Sequence, residues 1–171
     1  ASGTIGLANW ESVTSGLVAY WKFDETSGVT AYDSSGYGRH GNLASGFTFQ
    51  ASSRQGMSGG ALEFNGTSNY LEVPGDVLDA TENMTVAVWL RRNNVDVIRQ
   101  NIMDKAEFSG ATGWQLVLSD GGSPDNRAKF GLPDSAGPPG AWQEANTTNT
   151  LDSAGQWYHV VGVRDDTAQT I

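Results

Sequence analysis

The chain has 171 residues, enough for one domain with a core of its own. Its 19 Asp and Glu against 10 Lys and Arg give a net charge of −9, which argues against nucleic acid as a partner, because phosphate binding needs clustered cations. The absence of cysteine excludes disulfides, thiolate catalysis and cysteine-based zinc sites, and no apolar run approaches the ~18 residues that membrane insertion needs.

Twenty-two glycines punctuate short apolar runs, a pattern that predicts an all-β domain rather than a helical bundle. Ala1–Ala8 is small and polar, and residues 1–15 read as an N-terminal extension or linker ahead of one domain, 16–171. Gly16–Phe23 alternates as a strand: Leu17, Ala19, Trp21 and Phe23 against Val18, Tyr20 and Lys22. Thr26–Gly46 is a polar loop far longer than the usual ~4–6 residues, so it is expected to be functional or tied down. Ala61–Phe64 and Tyr70–Val73 read as two short strands around an Asn65-Gly66 turn. Met84–Arg92 is the clearest strand, with apolar groups on both faces (Met84, Val86, Val88 and Leu90; Ala87 and Trp89), as in the middle of a sandwich. Asn101–Lys105, Gly113–Leu118 and Lys129–Leu132 follow as further strands. Gly137–Asn149 reads as a loop insertion around Trp142, and Trp157–Arg164 as a last core strand. No window shows a helical period.

Three segments in this order resemble the laminin-G-like jelly-roll family of the concanavalin A-like superfamily: GLVAYWKFDETSGVTAYDSSGYGRHGNL at Gly16–Leu43, GGALEFNGTSNYLEVP at Gly59–Pro74, and WYHVVGVRDD at Trp157–Asp166. The resemblance covers about residues 16–171. It implies a jelly-roll β-sandwich of two antiparallel sheets, often a bound calcium, and ligand binding, commonly of glycan, in secreted or cell-surface proteins. In the family the turn after Trp157–Arg164 leads into further strands. Here Gln169-Thr170-Ile171 only begins one, so the sandwich is expected to be completed by a separate polypeptide or an identical chain.

The glycines of the 26–46 loop suggest a curl whose carbonyls converge on a hard cation. Asp33 is the expected calcium carboxylate, with carbonyls from Tyr37, Arg39 or His40, and Gly41, and a second carboxylate from Asp165 or Asp166. The resemblance supports this set without choosing between the two aspartates. The plainer alternative is an Asx-turn at Asp33 and a solvated acidic pair.

Other motifs lack the context their chemistry needs. Gly36-Tyr37-Gly38-Arg39-His40-Gly41 spells the dinucleotide fingerprint, but no strand precedes it and no helix follows. Gly56-Met57-Ser58-Gly59-Gly60 spells a nucleophile elbow, but a strand follows instead of a helix. His40 and His159 are the only histidines, and His159 sits in a strand as a structural residue. No strand carries the paired carboxylates of a glycosidase; Glu63 and Glu72 each stand alone, so no catalytic residue is expected. Among aromatics, Trp142, Tyr37 and Trp114 are candidate sugar platforms, as is Trp10, whereas Trp21, Trp89 and Trp157 fall in core patterns. Trp142 either stacks on ligand or caps the sandwich end. The expectation is a calcium-stabilised, non-catalytic module for glycan or an extracellular protein surface. The alternatives are a structural or adhesin spacer and a glycan-cleaving jelly roll.

Overall fold

The computed structural model describes residues 16–75, 83–97, 99–106, 113–118, 125–133 and 142–165. Their regular structure is almost entirely β, in antiparallel sheets with one short helix, and the fold is the expected β-sandwich. The chain divides into two compact units, residues 1–75 and 76–171.

In the first unit, β1 (Thr30–Ala31), β2 (Gly41–Leu43) and β5 (Leu71–Glu72) form one sheet in the order β1-β2-β5. The expected long loop therefore contains two strands, with Thr30 opposite Asn42 and Ala31 opposite Gly41. Gly16–Phe23 is not the long strand its alternation predicts. It makes a single bridge, Trp21 to Asp33, and Phe23 turns to a φ of 59°, which ends the extended run. A one-turn helix, α1 (Phe49–Ser52), is capped by Thr48, whose hydroxyl accepts from the Ala51 amide at 3.3 Å.

β3 (Ser53–Gln55) and β4 (Gly60–Leu62) then make a hairpin, closed by the Gly56 amide donating to the Gly59 carbonyl at 2.9 Å. The G-x-S-x-G stretch is thus a hairpin turn. Gly59 takes a φ of 75° with no room for a β-carbon beside the Asp24 carboxylate, and the Gly60 amide donates to that carboxylate at 2.6 Å. β4 and β5 do not pair with each other, contrary to the expected hairpin around Asn65-Gly66. The turn is real, but the Asn65 side chain makes it by accepting from the amides of Thr67, Ser68 and Asn69, and the flanking strands go to different sheets. Ala31, Leu43, Phe47 and Phe49 form this unit's core, with Trp21, Phe23, Leu62 and Leu71 packed on it.

The second unit is itself two-layered. β7 (Gln100–Ala106), β8 (Gly113–Leu118), β9 (Ala128–Pro133) and β10 (Trp142–Asn146) form a sheet in the order β10-β9-β8-β7. β6 (Met84–Arg91) and β11 (Trp157–Arg164) form a two-stranded layer. Val86, Leu90 and Val160 from the pair meet Trp114, Leu116, Leu118, Phe130 and Leu132 from the four-stranded sheet. The alternation of β6 is as expected, but only one of its faces is buried. Trp89 points outward and is 50 % exposed, while Trp114 is 3 % exposed and belongs to the core.

The 142–146 segment is a strand rather than a loop. β10 pairs with β9 along its whole length, from Trp142 opposite Pro133 to Asn146 opposite Lys129. Where β11 crosses β9, Gly162 faces the Phe130 ring, and a β-carbon there would lie 2.5 Å from Cγ of Phe130. Gly162→Ala is therefore expected to destabilise the fold by about 1–3 kcal/mol, the usual cost of overpacking a filled core. Urea denaturation reads this directly, and an unchanged midpoint would show that Phe130 can move aside.

Candidate functional site

Two places gather the chemistry-bearing residues. The first is Asp33, in the turn after β1. Its Oδ1 accepts from the Tyr20 amide at 2.9 Å and the Ser35 amide at 2.8 Å. Its Oδ2 accepts from the Ser35 hydroxyl at 2.7 Å and the Arg39 amide at 3.0 Å. Its own amide donates to Nδ1 of His40 at 3.0 Å. Burial pushes this carboxyl up, but the bonds from Ser35, Tyr20 and Arg39 outweigh it and hold the group well below the usual carboxylate range. The side chain joins three segments, around residues 20, 33–35 and 39–40.

Around this clasp Trp21 Nε1 donates to the Arg39 carbonyl at 2.9 Å, and Arg39 Nη1 donates to the Val18 carbonyl at 2.6 Å. Gly36 and Gly38 take φ of 97° and 70°, as the loop's curl requires. Gly41 does not; it opens β2, and a β-carbon there would lie 2.7 Å from the Leu71 side chain. Tyr37 is 65 % exposed, with the Arg39 guanidinium 5.0 Å from its ring centre.

The Asp33 carboxylate is fully engaged by the protein itself. A carboxylate has about four lone-pair positions, and four donors already use them at Asp33. The Arg39 carbonyl accepts from Trp21, and Gly41 is paired in the β1–β2 ladder. Asp165 follows β11, and Asp166 lies outside the described residues. Among the described residues no group of three or more His, Asp and Glu is arranged to hold a metal.

The second place is the outer face of the four-stranded sheet. Side chains alternate across a sheet, so with Trp114, Leu116, Leu118, Phe130 and Leu132 inside, the outer face carries Gln115 and Val117 of β8, and Lys129 and Gly131 of β9. Register adds Trp142, Glu144 and Asn146 of β10 and Asp104 of β7 to that face. Gly131, like Gln115 and Val117 on the same face, is buried, and neighbouring side chains close over the place of its missing β-carbon. From the point where its β-carbon would stand, Glu144 Cγ is 3.3 Å away, Trp142 Cε3 3.4 Å and Gln115 Nε2 3.5 Å. The Gln115 carbonyl oxygen is fixed by Arg99 Nη2 at 2.9 Å, and Arg99 Nε is held by Asn101 Oδ1 at 2.9 Å. An aromatic ring, an amide and the stem of the exposed Glu144 thus converge over one buried glycine.

Of the three expected sugar platforms, the structure keeps Trp142 on a polar face and Tyr37 on an exposed loop, and it withdraws Trp114 into the core. Trp10 lies outside the described residues. Gln115, Gly131 and Glu144 were not legible as site residues, because only the β8–β9–β10 register brings them together. His159 is on the outer face of β11, its ring stacked on Trp89 at 4.7 Å and 26°. Glu63 pairs with Arg54 at 2.6 Å, and Glu72 lies in β5 opposite Asn42.

The fold is similar to residues 221–444 of an S-layer domain-containing protein from Clostridium thermocellum, known from its crystal structure. The TM-score is 0.58 and the identity 19 %, over 85 % of this chain and 67 % of that one. No curated protein matches the chain. The laminin-G-type family model described as the concanavalin A-like lectin/glucanases superfamily matches residues 65–171, more than half of the chain and the stretch that holds every strand from β5 to β11. With its two-layered antiparallel sheets and this match over more than half its length, the chain belongs to the concanavalin A-like lectin/glucanase superfamily.

Proposed function

We propose that the chain is a non-catalytic extracellular module that binds glycan on the outer face of the four-stranded sheet. The observation that carries this reading is the convergence of the half-buried Trp142, the exposed Glu144 and the buried Gln115 over Gly131. A pyranose offers an apolar C–H face and a rim of hydroxyls. The indole suits the first, and the amide and carboxylate suit the second. Arg99 holds the Gln115 amide in one orientation, which favours defined hydrogen bonds. Membership of a lectin and glucanase superfamily supports the ligand class, and the likeness to an S-layer protein's fold supports a place at the cell surface.

Binding is favoured over cleavage by the spacing of the acids. Asp104 and Glu144 share a rung of the sheet with Gln115 and Gly131 between them, so three strand spacings separate their backbones, roughly 14 Å. Glycosidases hold their two carboxyl groups about 5–10 Å apart.

Screening on a glycan array, followed by calorimetry on the hits, tests the reading. Trp142→Ala is expected to weaken affinity about 10- to 100-fold, as the loss of a stacking platform worth ~1–3 kcal/mol would. Its circular dichroism and melting should stay near wild type, since Trp142 lies on an edge strand. No retained glycan would leave the chain as a structural spacer, and unchanged affinity in the folded variant would show that glycan binds away from this face.

A further inference from the structure

We propose that the outer sheet face reads a neutral sugar through one hydroxyl seated between Gln115 and Glu144, with Arg99 as the positioning residue that sets which way the Gln115 amide points. This rests on the glycan reading above and names the ligand class. β7 supplies the frame. Asn101 and Asp104 are an odd number of residues apart, so regular alternation would put them on opposite faces. The register shift between Asn101 and Met103 returns both to the outer face, where Asn101 lies opposite Val117 and Asp104 opposite Gln115.

A hydrogen-bond chain runs along this face. Asn101 Nδ2 donates to Asp104 Oδ2 at 3.3 Å, Arg99 Nε donates to Asn101 Oδ1 at 2.9 Å, and Arg99 Nη2 donates to Gln115 Oε1 at 2.9 Å. A carboxylate only accepts and a guanidinium only donates, so both amides turn their oxygens toward Arg99. The Gln115 NH2 group is left to point over Gly131, with Nε2 3.5 Å from the place of the missing β-carbon. Gln115 is 6 % exposed, yet its Nε2 donates to none of the described residues and is not sealed from solvent. Glu144 stands on the same rung, one strand beyond Gly131, and among the described residues its exposed carboxylate has no hydrogen-bond partner either. A donor on the β8 side and an acceptor on the β10 side thus flank one spot beside the Trp142 ring. A sugar hydroxyl meets both, accepting from Gln115 and donating to Glu144. A carboxylate or sulfate would accept from Gln115 but set like charge against Glu144, so this spot selects against acidic sugars.

Calorimetry tests this with neutral oligomers of glucose, xylose and N-acetylglucosamine, and with galacturonate oligomers as the acidic probe. At least one neutral oligomer is expected to bind in a way that Trp142→Ala weakens, and galacturonate is not. Arg99→Ala should weaken that neutral binding about tenfold with melting near wild type, because a freed amide loses one defined hydrogen bond. Arg99→Lys keeps a donor for Gln115 Oε1 and should restore most of the affinity. Gln115→Glu keeps a partner for Arg99 but turns an acceptor toward the ligand, so it should weaken binding more than Arg99→Ala does. Arg99 is exposed, so its variants decide the matter even where Gln115→Glu does not fold. Trp142-dependent binding that ignores Arg99→Ala, or that takes galacturonate equally well, would overturn this inference and leave the glycan reading standing. No binding of any oligomer, or neutral binding that Trp142→Ala does not change, would overturn the inference together with the reading it rests on.

Discussion

Replacing Arg92 by alanine is expected to lower the stability of the 76–171 unit by about 3–5 kcal/mol, among the largest losses any single change should cause here. Arg92 follows β6 and is 3 % exposed. Nε donates to Gln100 Oε1 at 2.8 Å, Nη1 to Asn126 Oδ1 at 2.8 Å and to the Leu151 carbonyl at 3.0 Å, and Nη2 to the Val95 carbonyl at 3.2 Å. Its own carbonyl accepts from the Gly155 amide at 2.8 Å. One guanidinium therefore ties the end of β6 to the start of β7, to the segment before β9 and to the loop before β11. Burial pushes this group below its ordinary value, and Tyr158 and Asp96 act the other way. Removing it leaves four acceptors without their donor, the Leu151 carbonyl among them buried, which is why the expected loss exceeds that of a single hydrogen bond. Arg92→Lys should recover less than half, because an ammonium cannot span the fork of partners. Urea denaturation of the three proteins decides it, and a loss under about 1 kcal/mol for Arg92→Ala would mean that water replaces the guanidinium.

Nothing in the sequence marks Arg92 for this role, because it ends an apolar run where a surface cation is the ordinary reading. The same run shows what periodicity does reveal. β8 and β11 were legible to the residue and β6 to within one, since each is a long apolar stretch bounded by polar or glycine-rich segments. Alternation shows which residues share a face, but not which face is inside. Trp89 and Trp114 are both tryptophans in regular strands, yet the first points out and the second in. Only the partner layer decides, and for β8 there is little to choose from the pattern, because all six of its residues are buried.

β10 was misread for a different reason. Trp142-Gln143-Glu144-Ala145-Asn146 holds three polar residues of low strand propensity, and its extended form comes from pairing with β9 rather than from its own preferences. β1 and β2, at two and three residues, are too short for any period to register. The proposed ligand face inherits both difficulties. Trp142 could be singled out as an aromatic among polar neighbours, but Gln115 and Gly131 look like ordinary strand residues until register sets them beside it. The Asp33 loop was found by its glycines and its carboxylate, and its tether is made of backbone amides, which leave no trace in residue type.

Asp33→Asn is expected to cost about 2–3 kcal/mol at neutral pH, and the cost should shrink as the solution is acidified. The asparagine keeps one oxygen for the amides of Tyr20 and Ser35, but sets an NH2 group against the Arg39 amide, donor to donor. The wild-type carboxyl titrates below its ordinary value of 3.8, so folding binds fewer protons there than the unfolded chain does. Its stabilising contribution is then complete above about pH 5, begins to fall near the unfolded value, and keeps falling as the pH drops toward the folded one. The difference in stability between wild type and Asp33→Asn should accordingly be constant from pH 7 to about pH 5 and narrow below about pH 4. Chelator and added calcium should leave the wild-type melting temperature unchanged at pH 7, because four protein donors already occupy the carboxylate. A rise with calcium that disappears in Asp33→Asn would show that the ion displaces those donors. A stability difference that stays constant down to pH 3 would show that the carboxylate's charge is not what holds the three segments together.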